Sequence, residues 1–329
     1  MEGNVRLSHG GRICVNPAVL TTLSASCDNG TVGVPPRRPG NTEGVSMIIP
    51  ESITGGVLLL WFILTAASLV FLIYDLEKNT PAMGVMKLAW GLIVLYTGPI
   101  GLFVYLLSCR QPMPGTHEMY IAAHWKQSVG SLMHCVAGDA TGIILGAIIT
   151  FHLGLPNGLD LVLEYVMAFV VGLFVFQALF MRSMFGGSYF TAVRKTFFSE
   201  TVSMNFVMVG MIPLMAIMRA KIPGGDDPGG LMFWGISSLA TMAGGLTAYP
   251  INSWLVGSGL KHGMMSASTN KPAAGSMPDM AEMAGMDMRH EHKEPNVSST
   301  TKLLVFLLSA GVLAVAVWVT SYFVTLRLK

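Results

Sequence analysis

Seven apolar stretches lie along the chain, at residues 54–74, 83–107, 127–151, 159–181, 199–219, 230–256 and 302–326. Each is close to the roughly 20 residues that carry a helix across the hydrocarbon of a bilayer. Backbone groups in lipid must be satisfied within the chain, which leaves helices or closed barrels. A barrel strand alternates between lipid-facing and inward-facing residues, whereas these runs are continuous. The pattern therefore predicts an all-α integral membrane protein with about seven transmembrane helices. Within the second span, Pro99 of "TGPIG" removes a helical hydrogen bond and predicts a kink. Pro250 predicts another in the sixth and should free a carbonyl near Leu246.

Four segments follow from the spacing. Residues 1–46 form a polar leader, expected to be disordered, with the breaker cluster "PPRRPG" at 35–40. Met47 stands just before the first apolar run, so the start is expected to be assigned too far upstream. The twin Arg37 and Arg38 lack the flanking pattern of an export signal. Residues 47–263 form a six-helix membrane bundle, 264–301 a disordered loop rich in Met and His, and 302–329 the seventh helix. Lys and Arg fall mostly in the loops on the side of the N-terminus. By the positive-inside rule this predicts a cytoplasmic N-terminus and a periplasmic C-terminus in the cell inner (plasma) membrane.

Composition narrows the function classes. The chain is 52% hydrophobic and 12% charged, against about a quarter charged in soluble domains. A net charge of +2, with no basic run interleaved with aromatics, gives no support to nucleic-acid binding. Cys14, Cys27, Cys109 and Cys135 form neither a CxxC pair nor a zinc-finger spacing. No nucleotide cradle or Ser-His-Asp arrangement stands in a supporting context, so an enzyme is not expected. A haem-dependent oxidoreductase would need two facing histidines, and His134 is the clear one at membrane depth.

Chemistry concentrates in the third span, at "HCVAGDATGIILG", residues 134–146. Residues three and four apart share a helix face. Gly138, Gly142 and Gly146 lie on the face of Cys135 and Asp139, in a GxxxGxxxG series that admits a close partner helix in lipid. His134 points about 100° away, towards a different neighbour. A charge at bilayer depth costs on the order of 2.5–3.5 kcal/mol. Asp139 must therefore be neutralised, paired, hydrated or metal-bound. A cysteine or a histidine alone is more often a packed or hydrogen-bonded core residue; their adjacency to Asp139 marks a site. Glu164, Gln177, Ser203, Asn205, Tyr249 and Asn252 are further polar groups at membrane depth that could complete it. Lys261 and His262 are expected at the membrane surface.

Methionine is unusually frequent, with 24 residues. Met204, Met208, Met211, Met215 and Met218 make a stripe on one face of the fifth span. Such a stripe alone is more often packing, but thioethers are also soft ligands that suit Cu(I). In the loop, Met277, Met280, Met283, Met286 and Met288 recur every two or three residues and are followed by His290 and His292. Clustered Met and His in a polar segment resemble the Cu(I)- or Ag(I)-chelating segments of copper-handling proteins.

The stretches "HWKQSVGSLMHCVAGDATGIILG" and "TAYPINSWLVGSGLKHGM" resemble a bacterial membrane family, the domain-of-unknown-function family numbered four-three-nine-six. The residues that carry the likeness are His134, Cys135, Gly138 and Asp139, then Ala248, Tyr249, Pro250, Asn252, Lys261, His262, Gly263 and Met264. The resemblance covers about residues 120–264. It implies a multi-span bundle and singles out these positions, and it implies no activity.

The leading functional expectation is a soft-metal membrane protein, a transporter or metal-binding permease for Cu(I) or Ag(I), working with copper-handling partner proteins. Its metal residues would be His134, Cys135, Asp139, Met204, Met208, Met211, Met215 and the Met and His residues of the loop. The alternatives are a proton-coupled small-solute permease using Asp139, and a non-catalytic accessory subunit. A homo-oligomer is compatible with each.

Overall fold

The computed structural model describes residues 51–113, 115–179, 188–263 and 297–326. Among these the chain is helical. The elements are α1 (Glu51–Lys78), α2 (Gly84–Ser108), the short α3 (His117–Ile121), α4 (His124–Leu153), α5 (Asn157–Phe169) running into a π-helical stretch (Val170–Gln177), α6 (Tyr189–Lys221), α7 (Leu231–Gly257) and α8 (Ser299–Phe323). All but α3 are long and apolar enough to cross a membrane, with α5 counted together with its π-helical extension. The protein is a multi-pass membrane protein, as the seven apolar runs predict.

Burial separates centre from rim. About 72% of the most apolar window of α4 is buried, against 17% for both α1 and α8. Leu59, Leu60 and Ile63 on α1 and Leu303, Leu304 and Leu307 on α8 stand exposed. Apolar faces of this extent are covered by lipid in a membrane protein. The third span is thus central, with α2, α5, α6 and α7 around it.

The glycine series on α4 does what its spacing predicts. A methyl group added at Gly142 would run into Met167 O and stand 2.5 Å from Ala168 Cα. One at Gly138 would stand 2.9 Å from Gly172 Cα, and one at Gly146 2.9 Å from Glu164 Cα. α5 is therefore seated backbone to backbone along α4. A second close seam joins α6 to α7. Gly210 faces Ala243, Gly244 faces the Met211 side chain, and Thr247 Oγ1 donates to Phe206 O at 2.8 Å.

The kink expected beside Pro99 is present in α2, and α6 begins earlier than the apolar pattern implies. In α2 the irregular residue is Gly98 (φ 58, ψ −135), one before the proline. A residue preceding proline is pushed out of the α region, and glycine alone takes this positive φ without strain. Its missing side chain also makes room for Thr65 Oγ1, 2.5 Å from where a Cβ would be. α7 continues through Pro250 as one helix, and Leu246 stands 78% exposed, apart from the buried polar groups described below. α6 begins at Tyr189, ten residues before the apolar run, where Ser188 caps Thr191 N. That earlier start carries Glu200 into the interior.

Near the junction of α1 and α2, buried Asp75 accepts from Tyr105 Oη (2.7 Å), Arg110 Nε (2.9 Å) and Asn79 Nδ2 (2.7 Å). Tyr105→Phe removes one of three donors and leaves the ion pair. The expected loss is about 1 kcal/mol, read from thermal unfolding in detergent.

Candidate functional site

A buried polar cluster lies where α4, α6 and α7 meet. Cys135 and Asp139 come from one face of α4, Glu200 and Ser203 from α6, and Asn252 from α7. The fourth contributor, Lys261, lies just beyond α7. Gly259, with φ +72, turns the chain back at the end of that helix. Leu260 N and Lys261 N both bond to Leu255 O, at 3.0 and 3.1 Å. This left-handed glycine cap directs Lys261 inward, where it is 4% exposed. The surface position expected for it is therefore incorrect: glycine reverses the chain before it reaches the interface.

An ammonium has three donors, and Lys261 Nζ uses them on three elements. It lies 2.7 Å from Cys135 Sγ, 3.1 Å from Asn252 Oδ1 and 3.3 Å from Glu200 Oε2. Cys135 Sγ donates in turn to Glu200 Oε2 at 3.3 Å. Asn252 and Ser203 are hydrogen-bonded to one another, and Asn252 Nδ2 also donates to Ala248 O at 3.0 Å. Glu200 and Lys261 are buried to within a few per cent.

Asp139 stands beside this network. It is fully buried, and neither of its oxygens has a hydrogen-bond partner among the described residues. Glu200 Oε1 is in the same condition. Both carboxyl groups flank Gly172 in the π-helical stretch. A Cβ there would meet Asp139 Oδ1 and lie 3.2 Å from Glu200 Oε1. π-Turns recur at functional sites, and this one presents a bare Cα to two acids.

The other expected site residues are distributed differently. His134 meets the Phe176 ring edge-on at 5.8 Å. His134, Ser131, Gln177 and His262 help to line a cavity of about 10 Å³. Glu164 does not join Asp139; it pairs with Arg219 NH1 at 2.5 Å. Asn205 accepts from Tyr165 Oη at 3.0 Å and donates to Ser309 at 3.1 Å, linking α5, α6 and α8. Tyr249 packs partly buried against the apolar core. Met204, Met208, Met211 and Met215 are buried in that core. Met277, Met280, Met283, Met286, Met288, His290 and His292, with Cys14, Cys27 and the 1–46 leader, lie outside the described residues.

Sequence reasoning missed Glu200 and the inward turn of Lys261. Glu200 shares a helix face with Ser203, Met204, Val207 and Met211. It is the polar continuation of the Met stripe, and that continuity was the available signal.

The cluster residues Cys135, Asp139, Glu200, Asn252 and Lys261 all fall within one stretch of family likeness. Residues 124–261 match the family model described as domain of unknown function (DUF4396). The DUF4396 segment begins with α4 and ends on Lys261, so it encloses the cluster and the four spans that build it. No curated protein and no solved structure matches the chain.

Proposed function

We propose that the protein is a proton-coupled permease for a small solute, with Asp139 as the proton carrier and Glu200–Lys261 as its fixed ion pair. One observation carries the reading: a fully buried carboxyl without a hydrogen-bond partner beside a second carboxyl that has two. Two carboxylates facing one ammonium leave an uncompensated negative charge, which is costly in a low-dielectric interior. Charge balance allots one proton to the pair. Glu200 Oε2 receives donors from Lys261 and Cys135, whereas Asp139 receives none, so the proton rests on Asp139. Releasing it creates a buried anion that must take up a proton or a cation, and this is how an intramembrane acid couples to transport. With the N-terminus cytoplasmic in the inner membrane, the side on which α4 begins is the cytoplasmic side.

Infrared spectroscopy of the protein in lipid provides a substrate-free test. A protonated carboxyl band at neutral pH is expected, and it should vanish in Asp139→Asn. In liposomes with an internal pH dye, a panel of amino acids, carboxylates and sugars is screened for solute-dependent acidification. Asp139→Asn should reduce it to the level of empty liposomes. The reading fails if the band is absent at neutral pH, or if a transported solute moves at full rate in Asp139→Asn.

The soft-metal reading draws its support from the Met and His residues of 264–301 and from the affinity of thioethers for soft cations. The stripe on α6 supports it less, because Met211 is the wall against which Gly244 packs. Among the described residues no three His, Cys, Asp or Glu side chains come together as a metal-holding group. Elemental analysis with and without residues 264–293 separates the readings. A copper stoichiometry that is lost with the loop and unchanged by Asp139→Asn places metal capture in the loop alone.

A further inference from the structure

A small cavity lies beside the cluster. It is bounded by Ser131, His134, Gln177, His262 and Gly263 and has a volume of about 10 Å³. That is room for about one water molecule. Met86 and Gly130 complete its wall, and four of the lining side chains, Ser131, His134, Gln177 and His262, carry polar groups that could hold a water in place. Ser131 is 4% exposed, and its Oγ has no hydrogen-bond partner among the described residues. One turn of α4 separates Ser131 from Cys135, and His262 directly follows Lys261. The cavity therefore lies between the cluster and the end of the bundle at which α4 begins and α7 ends. His262 is partly exposed there, while His134 is buried.

We infer that this cavity holds one water through which protons pass between that end of the bundle and the Asp139–Glu200 pair. The inference rests on the proton-coupled reading and adds its route and its sidedness. A water at this place accepts from or donates to Ser131 Oγ and reaches the imidazole and amide groups on the facing walls, and such a chain passes protons by exchange of hydrogen bonds. In the opposite direction α4 continues past Asp139 with Ala140, Ile143, Ile144 and Ala147, all buried and apolar. Along α4 itself, no polar side chain of this set continues the route in that direction. The titratable groups in the electrostatic neighbourhood of Asp139 are Glu200 of α6, Lys261 beyond α7, Tyr165 of α5 and Cys135 of its own helix.

The test is a pH jump followed by time-resolved infrared detection of the carboxyl band in oriented proteoliposomes. The wild-type band is expected to respond quickly to a jump on the side of His262 and slowly to one on the other side. Ser131→Val fills the cavity with methyl groups, and Gln177→Leu removes a polar wall at similar volume. Each should slow the response severalfold while leaving the equilibrium titration of the band in place. Equal rates from both sides in the wild type, or an unchanged rate in a folded cavity-filled variant, would overturn the route. A band that does not titrate at all defeats the proton-coupled reading itself, so the two failures are distinguishable.

Discussion

Lys261→Met is expected to destabilise the protein by about 3–5 kcal/mol, the loss found when one partner of a buried ion pair is removed. Methionine fits the same path, so the effect is electrostatic rather than steric. The variant removes the donors to Cys135, Asn252 and Glu200 together, and it leaves Glu200 beside Asp139 with no cation. Lys261→Met combined with Glu200→Gln should regain most of the loss, because a neutral pair needs no compensation. Thermal unfolding in detergent, followed by labelling of the buried thiols Cys109 and Cys135, reads both effects. A single variant that unfolds at the wild-type temperature would show that the Lys261 ammonium is hydrated in the native protein.

That network also shows how far the sequence could be read. Apolar run length fixed the seven spans, because a bilayer imposes one thickness on every crossing. Glycine spacing predicted a close partner helix on that face of α4, and α5 takes the seat, since a three- and four-residue period maps directly onto a helix face. Asp139 and Cys135 were legible for the same reason. Lys261 was not, because its position depends on the left-handed turn at Gly259, and a lysine after an apolar helix ordinarily marks the membrane surface. Glu200 was obscured because it stands at the very start of the apolar run at 199–219, where a charge ordinarily marks the membrane surface, although the helix had already begun at Tyr189. The partners of Glu164 and Asn205 lie 55 and 104 residues away in sequence, at Arg219 and Ser309. Periodicity carries no information about such pairings. The Met stripe is a true face, but a face is equally what packing requires, and Gly244 supplies the packing partner.

The glycines allow a prediction of opposite signs from one chemical change. Gly142→Ala places a methyl group against Met167 O and Ala168 Cα, both main-chain atoms of a helix that cannot yield locally. The whole of α5 must move off α4, and a cost of about 1–3 kcal/mol is expected, as for overpacked cores. The shift would also carry Gly172 away from Asp139 and Glu200, so the infrared band assigned to the protonated carboxyl should move as stability falls. Gly245→Ala adds the same methyl group to α7 at a place with nothing within 4 Å. There the change only removes backbone freedom from the unfolded chain, and a gain of up to about 1 kcal/mol is expected. Unfolding temperatures of the two variants, measured side by side in the same detergent, decide the matter. If Gly142→Ala were as stable as Gly245→Ala, the α4–α5 seam would be looser than backbone contact, and the opposition of Asp139 and Glu200 across Gly172 would lose its support.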